Sequence, residues 1–222
     1  MKIISKLLLT LLFVIFLVIT YLSIFGIETK RFNNQITNKI KNFDQNLDIQ
    51  LKTINIILDP FKFGINAKTI GPRLINKNKI IELESLKTKI SLKALIDKQF
   101  SVENLEISTK SIDLNNLVSF IRSLNQSSEL YILNKVIKRG FLIADIRLEF
   151  NEQGKIKDNF IINGFIKDGK VGFNKEYNID KINFIFDLKK NGLVVGDSNF
   201  TLNDLNFYSD EISVMRKANI FS

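Results

Sequence analysis

From Leu7 to Ile27 the chain runs 21 residues without a charge, nearly all Leu, Ile, Val and Phe. As a helix rising ~1.5 Å per residue it is roughly 32 Å long, enough to cross a hydrocarbon core of about 30 Å. The pattern predicts an amino-terminal tail and transmembrane anchor over residues 1–27. A cleaved secretory signal has a shorter apolar region and ends in a small-residue site. Here the run ends Tyr21-Leu22-Ser23-Ile24-Phe25-Gly26-Ile27-Glu28, with no Ala nearby, so an uncleaved anchor is favoured. A buried core helix is less favoured, because no later segment is helical and apolar enough to surround it. Lys2 and Lys6 flank the start, and Lys30, Arg31, Lys39 and Lys41 follow the end, so charge counting alone leaves the orientation open. A short basic tail ahead of a long apolar run is how signal anchors begin, which places the amino terminus in the cytoplasm.

Over residues 28–46 the apolar positions fall at helical spacing. Phe32, Ile36, Ile40 and Phe43 form one stripe, continued by Leu47, between Lys, Asn, Asp and Gln. The stripe can lie on the membrane surface or pack against the following sheet, and packing is the commoner use of such a face. The period then becomes two. Leu47, Ile49 and Leu51 point one way, and after Thr53 the phase shifts to Ile54, Ile56 and Leu58, which predicts a strand with a bulge closed by Asp59-Pro60. Phe61, Phe63, Ile65 and Ala67 resume the alternation as far as Gly71-Pro72, completing a hairpin. Ile81 and Leu83, then Leu86, Thr88, Ile90 and Leu92 after a slip at Ser85, predict another strand. Residues 91–97 form a short helical turn, Phe100, Val102, Leu105 and Ile107 the next strand, and Asn115 or Asn116 caps a helix carrying Leu117, Val118, Phe120, Ile121 and Leu124.

A segment over residues 47–125 is thus followed by one over 126–222. Leu130 to Lys138 reads as either helix or strand. Beyond Gly140 the chain is strand and turn: Leu142, Ala144, Ile146, Leu148 and Phe150 alternate with polar positions, as do Phe160, Ile162 and Ile166, then Ile182, Phe184, Phe186 and Leu188. Phe200 and Leu202 continue the series, with a slip at Asn203-Asp204 before Leu205 and Phe207. Asp168-Gly169 and Asn191-Gly192 are predicted as hairpin turns. The whole predicts a mainly β chain ending in an antiparallel meander with one apolar face.

The chain has no Cys, His or Trp, which removes disulfides, thiolate and His-based catalysis and Cys/His metal sites. A net charge of +9 and a pI near 9.6 raise the question of nucleic acid, but no Arg-rich or aromatic-interleaved basic cluster stands out. No nucleic-acid partner, cofactor or metal is expected; attraction to anionic head groups remains open. Glu82 with Glu84, and Asp210 with Glu211, sit as surface charges rather than acid/base pairs.

The anchor, the amphipathic helix, the strand pair and the segment Ile81-Glu82-Leu83-Glu84-Ser85-Leu86-Lys87-Thr88-Lys89-Ile90-Ser91-Leu92-Lys93-Ala94-Leu95-Ile96, leading into Val102-Glu103-Asn104-Leu105-Glu106-Ile107, resemble the start of AsmA-like proteins over residues 1–125. That group, with its TamB and YhdP branches, belongs to Gram-negative envelopes and is similar to the bridge-like lipid-transfer proteins of eukaryotes. The resemblance implies a single-pass inner-membrane protein with its bulk in the periplasm. It also implies a curved, taco-like antiparallel sheet, the start of a longer β-groove continuing past Ser222, and no catalytic motif. A one-sided meander must cover its apolar face, by a second sheet, by a helix, or by curving around acyl chains. The bulges expected at Thr53, Ser85 and Asn203 are devices that curve a sheet.

For phospholipid acyl chains the candidate floor is Ile49, Leu51, Ile54, Ile56, Phe63, Ile65, Ile107, Ile146, Leu148, Phe184, Phe186 and Phe200, each of which is equally an ordinary core position. The expected function is non-enzymatic phospholipid transfer between inner and outer membranes. The alternatives are an envelope scaffold for outer-membrane protein assembly, with a protein partner, and a single-span anchor subunit resembling the jelly-roll component of lipopolysaccharide transport.

Overall fold

The computed structural model describes residues 2–99, 101–172, 178–217 and 220–221. Phe100, Ala218, Asn219 and Ser222 lie outside them, as does the side chain of Phe43. Helix α1 (Lys2–Ile24) carries a 22-residue stretch, Ile3–Ile24, long and apolar enough to cross a membrane, and none of it is buried against the protein. Its polar side chains are satisfied internally: Thr10, Thr20 and Ser23 each donate to the carbonyl four residues back, at 2.7–2.9 Å. The helix ends earlier than the apolar run. Gly26, at φ +67°, turns the chain where a Cβ would press on the Ile56 carbonyl and on Ile57. Ile27 then enters β1 (Ile27–Thr29), paired with β3. An apolar count does not separate helix from edge strand; the backbone pairing does.

The helix expected over residues 28–46 is therefore the shorter α2 (Asn33–Phe43), followed by β2 (Leu47–Gln50). The α2 helix packs on β2: Asn33 donates to the carbonyls of Leu51 and Lys52, and Thr37 to that of Ile49. Ile36 and Ile40 are half-buried and Phe32 is exposed.

Next come β3 (Ile54–Asp59), β4 (Gly64–Ile70), β5 (Arg73–Asn76), β6 (Lys79–Ser91), α3 (Leu92–Ile96), β7 (Val102–Thr109), β8 (Ile112–Asp113), α4 (Leu114–Leu124) and α5 (Ser128–Val136). The meander is β9 (Ile137–Glu149), β10 (Ile161–Gly172), β11 (Asn178–Lys189), β12 (Gly192–Leu202) and β13 (Leu205–Lys217), with β14 (Ile220–Phe221) at its end. All fourteen strands join one open antiparallel sheet, in the order β1-β3-β4-β6-β7-β9-β10-β11-β12-β13-β14; β5 pairs with the first part of β6 and β2 with β5, and β8 pairs with β9.

The core lies at one end of this sheet. Ile81, Leu83 and Ile112 are buried under Phe120 of α4, with Leu86, Ile107 and Leu117 around them. Helix α4 is capped by Asp113, whose carboxylate accepts from Asn116 N–H, so the cap falls ahead of the two asparagines expected to supply it. Ser127 caps α5, and Arg122 joins the two helices through Asn134.

Several breaks in the alternation have causes other than those the pattern suggests. At Thr53 there is no bulge: β2 pairs with β5 and β3 with β4, so the slip is a change of partner. Asn203-Asp204 is a two-residue hairpin turn, both residues at positive φ, rather than a slip within a strand. The turn before β12 is Lys190-Asn191, with neither residue at positive φ, in place of Asn191-Gly192. Asp168-Gly169 lies inside β10 at a bulge. The slip near Ser85 is a bulge, as expected.

Asp168, Lys181 and Asp197, on the adjacent strands β10, β11 and β12, all have φ near +50° and all fall at register shifts, so one line of bulges crosses the meander. Asn183 stitches it together. Its Oδ1 accepts from Asp168 N–H at 2.9 Å, and its Nδ2 donates to Lys181 O at 2.7 Å and Asn199 Oδ1 at 2.9 Å. Asn183→Leu is expected to lower stability by about 0.5–1.5 kcal/mol, since it removes hydrogen bonds that hold the bulges and leaves their exposed partners to water; denaturant unfolding of the two proteins checks it.

Candidate functional site: one continuous apolar face

Residues opposite one another on neighbouring strands share a face. One such row runs Ile54, Thr69, Leu86, Ile107, Ile146, Ile162, Leu188, Leu193 and Val214, from β3 to β13. A second runs Ile27, Ile56, Ala67, Thr88, Leu105 and Leu148. Ala144, Gly164, Phe186, Val195 and Ile212 make a third, and Leu142, Ile166 and Phe184 a fourth. Since Leu86 and Ile107 pack under α4, this is the face that the helix covers at one end. No helix makes more than marginal contact with β10 to β13 among the described residues.

The opposite face is different in kind. Its neighbouring row reads Glu28, Asn55, Lys68, Lys87, Glu106, Arg147, Ile161 and Lys189. A cleft of about 590 Å³ opens there, lined in part by Lys68, Lys87, Lys89, Asn104 and Glu106. Ile57, Ala67 and Ile70 also line it, so charged side chains stand around a partly apolar cleft. A smaller apolar patch of Ile143, Phe165 and Ile185 interrupts this face.

Of the twelve floor candidates, Ile54, Ile56, Ile65, Ile107, Ile146, Leu148, Phe184 and Phe186 lie in or beside these rows. Phe200 lies past the bulge line, stacked on Phe207 at 5.1 Å between ring centroids. Ile49 is buried on β2, opposite Leu74, and Leu51 falls in the break between β2 and β3. Phe63 is in the β3–β4 turn, 54% exposed and at φ +47°, away from the sheet face.

The pattern did not single out Gly164. A Cβ there would strike the Ile143 carbonyl and come within 2.9 Å of the Phe186 ring, so that ring lies over the glycine and between the small side chains of its row. A Gly within a strand signals such a close approach.

Comparison with known proteins finds no match: no family model, no curated protein and no solved structure is similar to this chain. The reading of the site thus rests on its residues.

Among the described residues no cluster of acidic side chains could hold a metal ion. Glu82 bridges Lys110 at 3.0 Å and Arg73 at 2.9 Å, and the hydrogen bond and charge of Lys110, aided by Arg73, hold its carboxyl below the usual range. Glu149 is lowered by the amide of Asn159 and the charges of Lys157 and Arg147. Asp210 accepts from Tyr208, whose phenol is raised in consequence. These are local ties among exposed polar groups, of which Glu82 to Arg73 joins two strands, β6 and β5.

Two outcomes follow. Gly164→Leu is expected to cost about 1–3 kcal/mol by pressing on the Ile143 carbonyl and forcing Phe186 off its seat, read as a fall in Tm. Because the folded-state pKa of Glu82 is depressed, its stabilisation is present above the ordinary carboxylate range and is lost as pH falls through the lower folded value. The Glu82→Gln variant should therefore be less stable than wild type at neutral pH and converge with it in acid, as thermal melts across pH would show.

Proposed function

We propose that this chain is a membrane-anchored, non-enzymatic lipid carrier whose apolar sheet face holds phospholipid acyl chains. The observation that supports it is the row from Ile54 to Val214, apolar but for Thr69 across nine strands, and free of a covering layer from β10 to β13. An ordinary domain buries such a face against a second layer. Head groups stay in water at the rim while tails lie along the floor. Each buried CH₂ is worth ~0.8 kcal/mol, so a floor of this kind offsets removal of the tails from a bilayer and leaves transfer nearly level in free energy. In this proposal α1 lies in the inner membrane, the sheet lies in the periplasm, curved along its bulges, and lipid passes between inner and outer membranes, as in the AsmA-like group that the amino-terminal half resembles.

A second reading, an envelope assembly factor, draws on the edge of the sheet. Over residues 205–214 the outer side of β13 pairs with no described strand, and Leu205, Tyr208 and Ile212 on it are exposed. Such an edge accepts a strand from a protein partner. The anchor-subunit reading gains nothing from the fold, since a jelly roll needs two sheets and these strands form one.

Photo-crosslinkers at Phe184 and Phe186, with Ile185 on the opposite face as control, test the proposal in cells. The expected products are phospholipid adducts from 184 and 186 and none from 185. Protein adducts alone, concentrated at 205–214, point to the assembly factor instead. Phe184→Asp should abolish co-purifying phospholipid, whereas Ile185→Asp should leave it.

A further inference from the structure

The end of the sheet nearest α1 carries a second apolar feature, unrelated to the floor. The β3–β4 turn presents Phe61, 99% exposed, and Phe63, 54% exposed, on either side of Lys62. Helix α3 is tied to this turn, because Leu92 N–H donates to Phe63 O at 3.0 Å, and it adds Ile96, 70% exposed. Lys62, Lys93 and Lys98 are all exposed, and none forms an ion pair with a described residue. The three bare apolar side chains are poorly placed in water, and three unpaired ammonium groups stand around them. They match the boundary of a bilayer, where rings and alkyl groups sink below the head groups and ammonium groups meet phosphate.

The chain path supplies the direction. Ile27 lies opposite Ile56 and Thr29 opposite Ile54, so β1 enters the sheet from the side of the turn and runs away from it. Helix α1 meets the sheet at β3, the strand that ends in the turn. From Ile56 to Asp59 is about 10 Å of strand at ~3.3 Å per residue, so the tip projects past the junction at Gly26. Phe63 holds φ +47°, a conformation costly for a bulky residue, and its side chain is more than half exposed.

We infer that the Phe61–Phe63 tip and Ile96 form an interfacial foot that dips into the leaflet in which α1 ends, fixing the tilt of the sheet against the membrane. The inference rests on α1 spanning a bilayer and not on lipid transfer. With no Cys in the chain, single substitutions Phe61→Cys, Ile96→Cys, Phe13→Cys in α1, and Asp204→Cys at the far end of the strands each give one labelling site. Each full-length protein is labelled with nitrobenzoxadiazole and reconstituted into phosphatidylcholine–phosphatidylglycerol vesicles, with doxyl groups placed shallow or deep in the acyl chains. Expected are strong quenching by deep doxyl at 13, a blue shift with quenching by shallow doxyl at 61 and 96, and a water-like, unquenched spectrum at 204. Water-like spectra at 61 and 96 with 13 quenched overturn the foot while leaving the anchor. An unquenched probe at 13 overturns the anchor and the foot together, and phospholipid adducts at Phe184 remain a separate matter.

Discussion

Cross-strand pairing forces residues in register onto the same side of a sheet, and a one-residue slip moves every later side chain to the other side. In this chain the row from Ile54 to Val214 crosses nine strands, and each strand must arrive with an apolar residue in phase. Where the sequence slips, a bulge restores the phase: at Ser85 in β6, and along the line through Asp168, Lys181 and Asp197 in the meander. The positive φ values at those three positions are the local cost of keeping two faces chemically distinct, and Asn183 holds the three bulges to one another.

The distinction between faces sets the rest. Where α4 lies over Ile81, Leu83 and Ile112 the apolar side makes a conventional core, and from β10 onward the same side continues without a helix. Outside the patch of Ile143, Phe165 and Ile185 the other side carries mostly Lys, Glu, Asn and Arg, with exposed ion pairs such as Arg73 with Glu82 and Arg147 with Glu106, which contribute little to stability individually. A sheet so built has one apolar side and one mostly polar and charged side. Only two residues, Phe25 and Gly26, separate the apolar helix α1 from an edge strand, which leaves little chain between helix and sheet.

The alternation showed most of the strands, the single apolar face and the membrane-length helix, because both periods are written in the order of residues alone. It showed the bulge at Ser85, where Leu83 and Leu86 are out of step. It misassigned Thr53, Asp168 and Asn203 because a change of partner, a bulge and a tight turn all break a period of two in the same way, and all favour Asn, Asp or Thr at the break. Phe63 passed as a floor residue since it keeps the parity of Ile65, although the turn has already lifted it out of the sheet.

Sequence by itself determined which side chains are oily and how they are spaced, and with that a membrane-length apolar helix, a mainly antiparallel sheet and one greasy side. Tertiary structure decided which strands are neighbours, that they make one open sheet rather than two facing ones, and that α4 covers only one end of it. The reason is that spacing is a property of consecutive residues, whereas pairing is a competition among distant segments. Its outcome depends on hydrogen bonds such as those of Asn183 and on room such as that left by Gly164, which no local pattern encodes.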